Sequence, residues 1–460
     1  MQEQIYFYYT NDLHSDFTYW PQVVHYFHKR RIKHKRKDEA CFIVDIGDHI
    51  DRVHPIAEAF MGKGNVQLLN EASYDVITIG NNEGITLSHD DLFHLYNEAQ
   101  FDVVCSNLNS LTEKQPDWLN KVIYKQTASN VKIAILGLTA AFNPFYNLLD
   151  WHVEEPTETL HNELARLTDD VDIVILLSHL GLNEDRSIAK NFPQIDLIIG
   201  GHTHHLLKSG EIVRETLLTA AGKHCSHIGE VMLLWDHEKK KLVQKEAYVT
   251  NITHMKKDEK TVHVIKDLQD KAHDKMSQVI AETKEQLTVN WYQETFLMKK
   301  LTNTLKKWTK ADCAMLPSGL LLDHLPVGEI TLGDVHRICP HPINPVVVNV
   351  SGREIKEIVR VGQTKEFMNL HLKGFGFRGK VIGKAVFSGI TFDTKNKKDH
   401  YIKDVFINNK RIVDEKIYSF ATADMFIFGR LLPEVAKSKR KDLFLPEFIR
   451  DILVHTLYKV

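Results

Sequence analysis

The feature that most constrains the fold is a series of short apolar runs in the first half of the chain, separated by polar stretches long enough to form helices. Several of these runs are β-branched and apolar throughout, which predicts strands covered on both faces of a sheet. Alternation of this kind is typical of a layered α/β domain. The runs predict strands at residues 5–9, 41–46, 76–79, 103–105, 133–138, 173–177, 197–199, 217–220 and 231–235.

The pattern changes after the last of these runs. Residues 256–287 are rich in charge and have apolar residues at steps of three and four, which predicts one amphipathic helix. Apolar runs then resume and predict strands at residues 346–350, 385–387, 390–392 and 418–422. Because 460 residues is about three times the length of a typical domain, we expect a second α/β domain here.

Composition narrows the classes of partner. The chain has 58 Lys plus Arg against 60 Asp plus Glu, a formal net charge of -2, so no overall field favours nucleic acid or an anionic membrane. The basic run at residues 29–37 is interpreted as the solvated face of a helix, with attraction of anionic ligands as the alternative. We therefore predict neither nucleic acid nor a membrane as a partner.

Three features favour a cytoplasmic protein. The five cysteines are scattered and form no Cys-x-x-Cys pair, as expected of small buried residues in a reducing compartment. Residues 1–9 lack the basic start and apolar block of a signal peptide. The longest uncharged stretch, residues 133–149, is interrupted by Asn143, Pro144 and Asn147, so it predicts a strand and a loop rather than a membrane span.

Side chains that commonly bind metals follow five of the predicted strands. They are Asp12, His14, Asp48, Asn81, His179, His202 and His204. Because open α/β sheets gather their ligands in a crevice at the carboxyl ends of the strands, we expect these side chains to lie close together. Oxygen and nitrogen donors without a thiolate suit Mn²⁺, Zn²⁺, Fe or Co²⁺.

This donor set predicts two divalent metal ions. Seven donors exceed the needs of one tetrahedral ion, whereas two ions that share a bridging carboxylate would use all of them. A pair of ions about 3.5 to 4 Å apart suits in-line displacement at phosphorus, since it activates a water and neutralises the phosphoryl oxygens. The residues therefore predict phosphoester hydrolysis, and the alternative is a set of buried histidines and strand-end turns without a metal.

The order of the motifs resembles that of a known family. Asp-x-His, Gly-Asp-x-x-Asp, Gly-Asn-x-Glu, Ser-His-Leu-Gly and Gly-Gly-His-Thr-His occur in the order found in calcineurin-like metallophosphoesterases of the 5'-nucleotidase family. The resemblance implies a four-layer αββα metallophosphoesterase domain at residues 1–253 and a linker helix at 254–288. It also implies a smaller α/β 5'-nucleotidase-like substrate domain at 289–460.

The resemblance also implies a division of the ligands between two metals. The first metal would be held by Asp12, His14, Asp48 and His204. The second would be held by Asp48, Asn81, His179 and His202, so that Asp48 bridges the two ions.

Two positions near these motifs are predicted to be catalytic. Asn82 stands where the family has a histidine against the phosphate, and Ile85 replaces that histidine's aspartate partner. An amide can donate a hydrogen bond to a phosphoryl oxygen but cannot protonate an alkoxide. Arg52 is the second candidate, because it could make a bidentate contact with phosphate. The alternative for Arg52 is an ion pair with Asp51 or Glu58.

The second domain departs further from the family. Its substrate motif has Leu322 in place of the arginine that would bind the substrate anion, and the base-stacking phenylalanines are out of register. Four nearby phenylalanines could stack on a base, with burial in the core as the alternative. The predicted substrate-binding residues are Gly319, Asn344, Phe375, Phe377, Phe426 and Phe428.

Together these features predict a 5'-nucleotidase that releases phosphate from nucleotides through a metal-bridging hydroxide, with a small phosphoester as its substrate. One alternative is a phosphodiesterase or pyrophosphatase that acts on cyclic nucleotides or nucleotide-sugars, which Leu322 and the lost motif histidine favour. Another is a metal-dependent nucleotide-binding regulator without catalysis. The sequence does not indicate an oligomeric state.

Overall fold

The computed structural model describes residues 1–112, 114–394, 402–429 and 431–458. The chain divides into two compact units, Met1–Ala272 and His273–Val460. Among the described residues, no helix has both the length and the apolar character needed to cross a lipid bilayer.

The first unit contains fifteen strands and nine α-helices in its described part. The strands are β1 (Gln2–Thr10), β2 (Ala40–Asp45), β3 (Val76–Ile77), β4 (Asp102–Val104), β5 (Leu108–Ser110), β6 (Leu119–Asn120), β7 (Val122–Gln126), β8 (Lys132–Thr139), β9 (Trp151–Val153), β10 (Ile173–His179), β11 (Leu197–Gly200), β12 (Glu211–Val213), β13 (Thr216–Thr219), β14 (His227–Asp236) and β15 (Lys241–Asn251). The helices are α1 (Trp20–Lys37), α2 (Pro55–Phe60), α3 (Lys63–Ala72), α4 (Asn81–Thr86), α5 (His89–Phe93), α6 (Asn143–Tyr146), α7 (Pro156–Ala165), α8 (Leu182–Asn191) and α9 (Glu259–Met276).

Two main sheets form the centre of this unit. One has seven strands in the order β15-β14-β1-β2-β3-β4-β6, and the other has six in the order β12-β13-β11-β10-β8-β7. One face of each sheet contributes to a shared core, in which Phe7 of β1 and Ile175 of β10 are fully buried. Helices α7 and α8 cover the outer face of the six-stranded sheet, and α1 covers that of the other sheet. The result is the expected αββα order of layers.

The predicted strands in the first half are all present, because apolar residues on both faces leave few alternatives to a buried parallel strand. β1 pairs in parallel with β2, and β10 pairs in parallel with β8 and β11. The carboxyl ends of these strands therefore lie at one edge of each sheet.

The predicted helix at residues 254–288 differs from the structure. Helix α9 ends at Met276, and residues 279–283 form a strand instead. Spacing of apolar residues by three or four does not exclude a strand over a few positions, and the β-branched Val279 and Ile280 favour extended backbone. Residues 279–283 pair with a later strand that begins at Gly328, and this pairing favours a strand over a helix.

The second unit is built around a five-stranded sheet. The described strands of the whole second unit are β16 (Val279–Thr283), β17 (Cys313–Pro317), β18 (Gly328–Thr331), β19 (Pro345–Ser351), β20 (Ala385–Ser388), β21 (Ile390–Thr394), β22 (Ile402–Ile407), β23 (Lys410–Arg411), β24 (Ile417–Ala423) and β25 (Lys441–Leu443). Its helices are α10 (Phe296–Thr309), α11 (Leu332–Ile338), α12 (Gly352–Gly362), α13 (Lys365–Met368), α14 (Pro433–Ala436) and α15 (Ile449–Leu457). The sheet has the order β20-β17-β24-β19-β25, and α10, α12 and α15 contribute apolar side chains to its core.

Candidate metal centre

The seven predicted metal ligands follow strand ends in the first unit. Asp12 and Asp48 lie on the loops after the parallel neighbours β1 and β2. His179 is the last residue of β10, and His202 follows the adjacent β11 in the other sheet. The backbone N–H of His202 donates to the Asp12 carboxylate at 3.0 Å, which joins the two sets of loops.

Two glycines allow the ligand loops to approach each other closely. A Cβ on Gly80 would lie 2.1 Å from Asp48 Oδ1, and a Cβ on Gly47 would lie 2.2 Å from the backbone nitrogen of Gly80. Gly47 also has a φ of +86°, which favours glycine. A side chain at Gly80 would displace the Asp48 carboxylate, and one at Gly47 would push the two ligand loops apart.

A first group of donors consists of Asp12, His14 and His204, whose ligand atoms all lie within 4.8 Å of one another. The Nε2 atoms of His14 and His204 are 3.1 Å apart, and His204 Nε2 is 3.4 Å from Asp12 Oδ1. Separations of this size are those of nitrogen and oxygen donors that share a single ion, each at about 2 Å from it.

A second group consists of Asp12, Asp48 and His179, which are all buried. His179 Nε2 lies 3.3 Å from Asp48 Oδ1 and 3.9 Å from Asp12 Oδ1. The other oxygen of Asp48 lies 3.9 Å from His14 Nε2. Asp48 thus faces histidines of both groups, as the predicted bridging carboxylate would, while Asp12 is a member of both.

Asn81 and His202 adjoin the second group. The His202 ring centroid is 5.2 Å from that of His179, although His202 is not in either three-residue group. Asn81 begins helix α4, and its buried Oδ1 has no hydrogen-bond partner in the described structure. The structure therefore brings all seven predicted ligands into one region.

The chemistry of this region fits divalent cations. His179 Nε2 is a second buried donor atom without a hydrogen bond among the described residues. Burial alone would lower the pKa of His179, but the carboxylates of Asp48 and Asp12 raise it to about 10. Buried carboxylates and unbonded lone pairs in one place need a positive charge, which bound metal ions supply.

Glu83 organises the Asp48 loop, a role that the sequence analysis missed. Its buried carboxylate accepts hydrogen bonds from the backbone N–H groups of Asp48, Ile50 and Gly80, at 2.9 to 3.1 Å. The signal was present, because an acidic residue three positions after Gly80 is typical of a capping box at a helix start.

The structure places both predicted catalytic residues in internal contacts. Asn82 Nδ2 lies 3.0 Å from His14 Nδ1 and donates to the Ile50 carbonyl at 3.1 Å. Arg52 is 7% exposed and donates to Glu58 through two nitrogens, at 2.8 and 3.1 Å. The observed geometry of Arg52 is thus the ion-pair alternative with Glu58, and its contact with phosphate stays a prediction.

The predicted substrate residues of the second unit fall into two classes. Gly319, Asn344, Phe377 and Phe426 are buried. A Cβ on Gly319 would lie 2.0 Å from a backbone carbonyl oxygen, and Asn344 donates to the Glu447 carbonyl at 2.8 Å. Their surroundings are those of packing residues, because apolar strands and loops enclose them on all sides.

Phe375 and Phe428 are different. Their rings are nearly parallel, with an interplanar angle of 6° and centroids 5.7 Å apart. Phe375 is 50% exposed and has a φ of +52°, between Gly374 and Gly376. A strained, half-exposed aromatic residue beside a second ring is unusual for a core position and suits a stacking surface.

Comparison with known proteins assigns the chain to a family. The model of the calcineurin-like phosphoesterases matches residues 5–206, and that of the 5'-nucleotidase carboxyl-terminal domain matches residues 278–430. The uncharacterized metallophosphoesterase YunD of Bacillus subtilis (strain 168) is 38% identical over 460 residues, which cover 99% of this chain and 100% of the relative. The chain belongs to the calcineurin-like metallophosphoesterase family.

Two further proteins are similar to the chain over most of its length. A 5'-nucleotidase from Vibrio vulnificus (strain CMCP6) is 21% identical over 409 residues, 76% of this chain and 70% of the relative. The solved structure of the Haemophilus influenzae NAD nucleotidase has a TM-score of 0.67 at 15% identity and covers 100% of this chain and 96% of that one. The latter likeness shows a common fold.

Family membership confirms the predicted class of enzyme. This metallophosphoesterase is a metal-dependent phosphoric ester hydrolase with a carboxyl-terminal domain of the 5'-nucleotidase type. Calcineurin-like phosphoesterases use a dinuclear divalent metal centre, and the clustered donors lie within the matched segment, residues 5–206.

Proposed function

We propose that this metallophosphoesterase is a 5'-nucleotidase that releases phosphate from nucleoside monophosphates. The observation that carries the proposal is the pair of adjoining donor groups, joined by Asp12 and Asp48, at the carboxyl ends of four strands. Two ions held there would neutralise the phosphoryl oxygens and make a water molecule a stronger acid. The candidate metals are Mn²⁺, Zn²⁺, Fe and Co²⁺, because oxygen and imidazole donors suit all of them.

The proposed division of ligands follows the family motifs. One ion is assigned to Asp12, His14, Asp48 and His204, and the other to Asp48, Asn81, His179 and His202. Support comes from the two oxygens of Asp48, which face His179 at 3.3 Å and His14 at 3.9 Å. Asn82 is assigned to the positioning of His14 rather than to contact with phosphate, because its amide nitrogen lies 3.0 Å from the His14 ring.

A nucleotide is the proposed substrate because of the aromatic pair in the second unit. Parallel rings, one of them half-exposed, can receive a planar base by stacking. The names of similar proteins, a 5'-nucleotidase and an NAD nucleotidase, point to the same class of substrate. A cytoplasmic location stays a prediction from the sequence.

The test is hydrolysis by Mn²⁺-loaded protein of nucleoside monophosphates, cyclic nucleotides, nucleotide-sugars and simple phosphate esters, with released phosphate measured for the monoesters and nucleoside monophosphate measured as the product of the cyclic nucleotides and nucleotide-sugars. We expect preference for nucleoside monophosphates and loss of release in Asp48→Asn, which keeps the shape of the side chain but removes the charge between the two histidines. Asp75→Asn is a matched control, because Asp75 pairs with Arg31 outside the donor groups.

The second candidate is hydrolysis of a phosphodiester or pyrophosphate. Leu322 favours it, since the chain has no arginine at the position where the family binds the terminal phosphate of a monoester. Formation of a nucleoside monophosphate from cyclic nucleotides or nucleotide-sugars, with monoesters left intact, would select this candidate. Tight metal and nucleotide binding without hydrolysis of any of these substrates would contradict both and select the regulatory alternative.

A further inference from the structure

The side chains near the metal centre that were expected to touch phosphate are engaged elsewhere. Asn82 Nδ2 has the His14 ring and the Ile50 carbonyl as neighbours, at 3.0 and 3.1 Å. Arg52 donates to Glu58 and to the Thr86 carbonyl. A hydrogen-bond donor to the substrate phosphate could therefore come from another part of the chain near the donor groups.

His224 lies at the rim of the donor groups. Its ring centroid is 6.0 Å from that of His14, with an angle of 89° between the rings. Its backbone N–H donates to the Asp12 carbonyl at 2.9 Å. The side chain is 40% exposed, so the ring contacts one predicted ligand and remains accessible to a small molecule.

Asp16 lies beside the His224 ring. Asp16 Oδ2 is 3.6 Å from His224 Nδ1, which is longer than a hydrogen bond, while Asp16 Oδ1 accepts a hydrogen bond from the Thr18 backbone at 3.1 Å. The one N–H donor of a neutral His224 imidazole is therefore not taken up by Asp16. With the proton on Nε2, the ring can donate to an anionic oxygen without a change of charge.

The backbone at His224 resembles that of the ligands. His224 has a φ of +55°, in the left-handed region that is unfavourable for a residue with a Cβ. The residues that share this conformation nearby include five predicted ligands, Asp12, His14, Asp48, His202 and His204. Strained positions gather at functional sites. Glycine would fit His224's backbone without strain, so the imidazole there indicates a use for the ring.

We propose that His224 contacts the substrate and donates a hydrogen bond to a phosphoryl oxygen, in the role that the motif position of Asn82 has lost. The proposal rests on the phosphoester chemistry proposed above and does not depend on the identity of the base.

The test is the binding of inorganic phosphate to Mn²⁺-saturated protein by titration calorimetry. His224→Gly removes the ring and suits the left-handed backbone, so we expect a thermal midpoint no lower than that of the wild type. Phosphate affinity should fall by about tenfold or more, since hydrogen bonds to charged groups are the stronger ones. Mn²⁺ affinity should stay within about twofold, because no metal ligand changes.

Two further variants, one that keeps an N–H donor and one that serves as a control, complete the test. His224→Asn tolerates the same backbone and keeps an N–H donor, so we expect it to recover part of the phosphate affinity. His227→Ala is the matched control, since His227 is a half-buried histidine three residues away whose ring contacts Ser226 instead. It should bind phosphate as the wild type does.

The outcomes separate this proposal from the proposed function. Wild-type phosphate affinity in His224→Gly would overturn the proposal, and so would a joint loss of Mn²⁺ and phosphate binding, which indicates a structural role. If the wild type hydrolyses no ester but His224→Gly still weakens phosphate binding, the proposed function fails and the role of His224 stands.

Discussion

Five of the seven predicted ligands have an unfavourable backbone conformation. Asp12, His14, Asp48, His202 and His204 all have positive φ, which is unfavourable for residues other than glycine by about 1 kcal/mol each. The left-handed turns bring carboxylates and imidazoles from different strands within a few ångströms of one another. The contacts that this close approach allows offset the cost of the backbone conformation. We infer that bound cations stabilise these turns further.

Glu83 offers a test of how the Asp48 loop is held. Glu83→Gln replaces one acceptor oxygen by an NH2 group, so at least one of the N–H groups of Asp48, Ile50 and Gly80 loses its partner in a buried place. We expect the free energy of unfolding of the first unit to fall by about 1–3 kcal/mol. Urea denaturation measures it.

The same variant should weaken Mn²⁺ binding, because the loop that carries Asp48 loses at least one of the hydrogen bonds that hold it. Glu158→Gln is the control, since Glu158 is exposed in the first turn of α7. Equal stability and equal Mn²⁺ affinity in Glu83→Gln and the wild type would contradict this account of the loop.

The residue types at the site could be predicted from the sequence, but the contacts of their neighbours could not. Asp12 and His179 were found because a ligand-type residue at the end of an apolar run is a local pattern. The partners of Asn82 and His224 depend on loops that are distant in the chain. Glu58 is near Arg52 in the sequence and was one of two acids considered as its partner, but the sequence does not decide between an ion pair and a contact with phosphate.

At the scale of elements, the strands that were predicted share one physical property. Continuous apolar character, as in β10 and β19, indicates burial on both faces, and both of these runs are strands. Strand β15 was missed because it lies at the edge of its sheet and is mostly polar. The helix after it was predicted too long, since the end of α9 depends on the pairing of β16 with the distant β18.

The loop that carries Phe375 and Phe377 contains two rings with opposite roles. Phe377 is buried and stacks on His341, whereas Phe375 is half-exposed and faces Phe428. We expect Phe377→Ala to lower the free energy of unfolding of the second unit by about 3–5 kcal/mol. Phe375→Ala should leave stability nearly unchanged and raise KM for nucleotides, because it removes one stacking surface.

Thermal unfolding and steady-state kinetics with two substrates check this pair of variants. An aliphatic ester such as glycerol phosphate has no ring to stack, so Phe375→Ala should leave its KM unchanged. A rise of KM for both substrates alike would argue against a base-stacking role for Phe375. No loss of stability in Phe377→Ala would argue against its place in the core.

At the scale of the whole molecule, the two units have separate cores. The core of the first lies between its two sheets, and that of the second surrounds the five-stranded sheet. All seven predicted metal ligands belong to the unit Met1–Ala272. Binding of a metal should therefore stabilise one unit directly and leave the other unchanged.

Calorimetry should show two unfolding transitions, of which Mn²⁺ raises only one. At free Mn²⁺ of about 100 times Kd, binding to the folded state contributes about 2.7 kcal/mol, a shift of about 5 °C for a unit of this size. A chelator should reverse the shift, and Asp48→Asn should reduce it. A single unfolding transition whose midpoint rises with Mn²⁺ would contradict the conclusion that the two units unfold separately.

The transition of the second unit should depend on pH through Asp424. Burial raises the pKa of this carboxyl to about 8, although nearby backbone N–H groups partly oppose the shift. In the unfolded chain an aspartate titrates at about 3.9, so the folded state binds the additional proton between about pH 4 and pH 8. The stability that the protonated Asp424 contributes is therefore fully present below about pH 4 and is lost as the pH rises towards 8.

Asp424→Asn isolates this effect, because an amide is neutral at every pH and has nearly the shape of the protonated carboxyl. From pH 5.5 to pH 8.5, we expect the midpoint of the second transition to fall by about 5 °C more in the wild type than in the variant. The first transition should show the same pH dependence in both proteins, since Asp424 lies outside that unit. Parallel curves for the second transition would mean that Asp424 is ionised in the folded protein throughout this range.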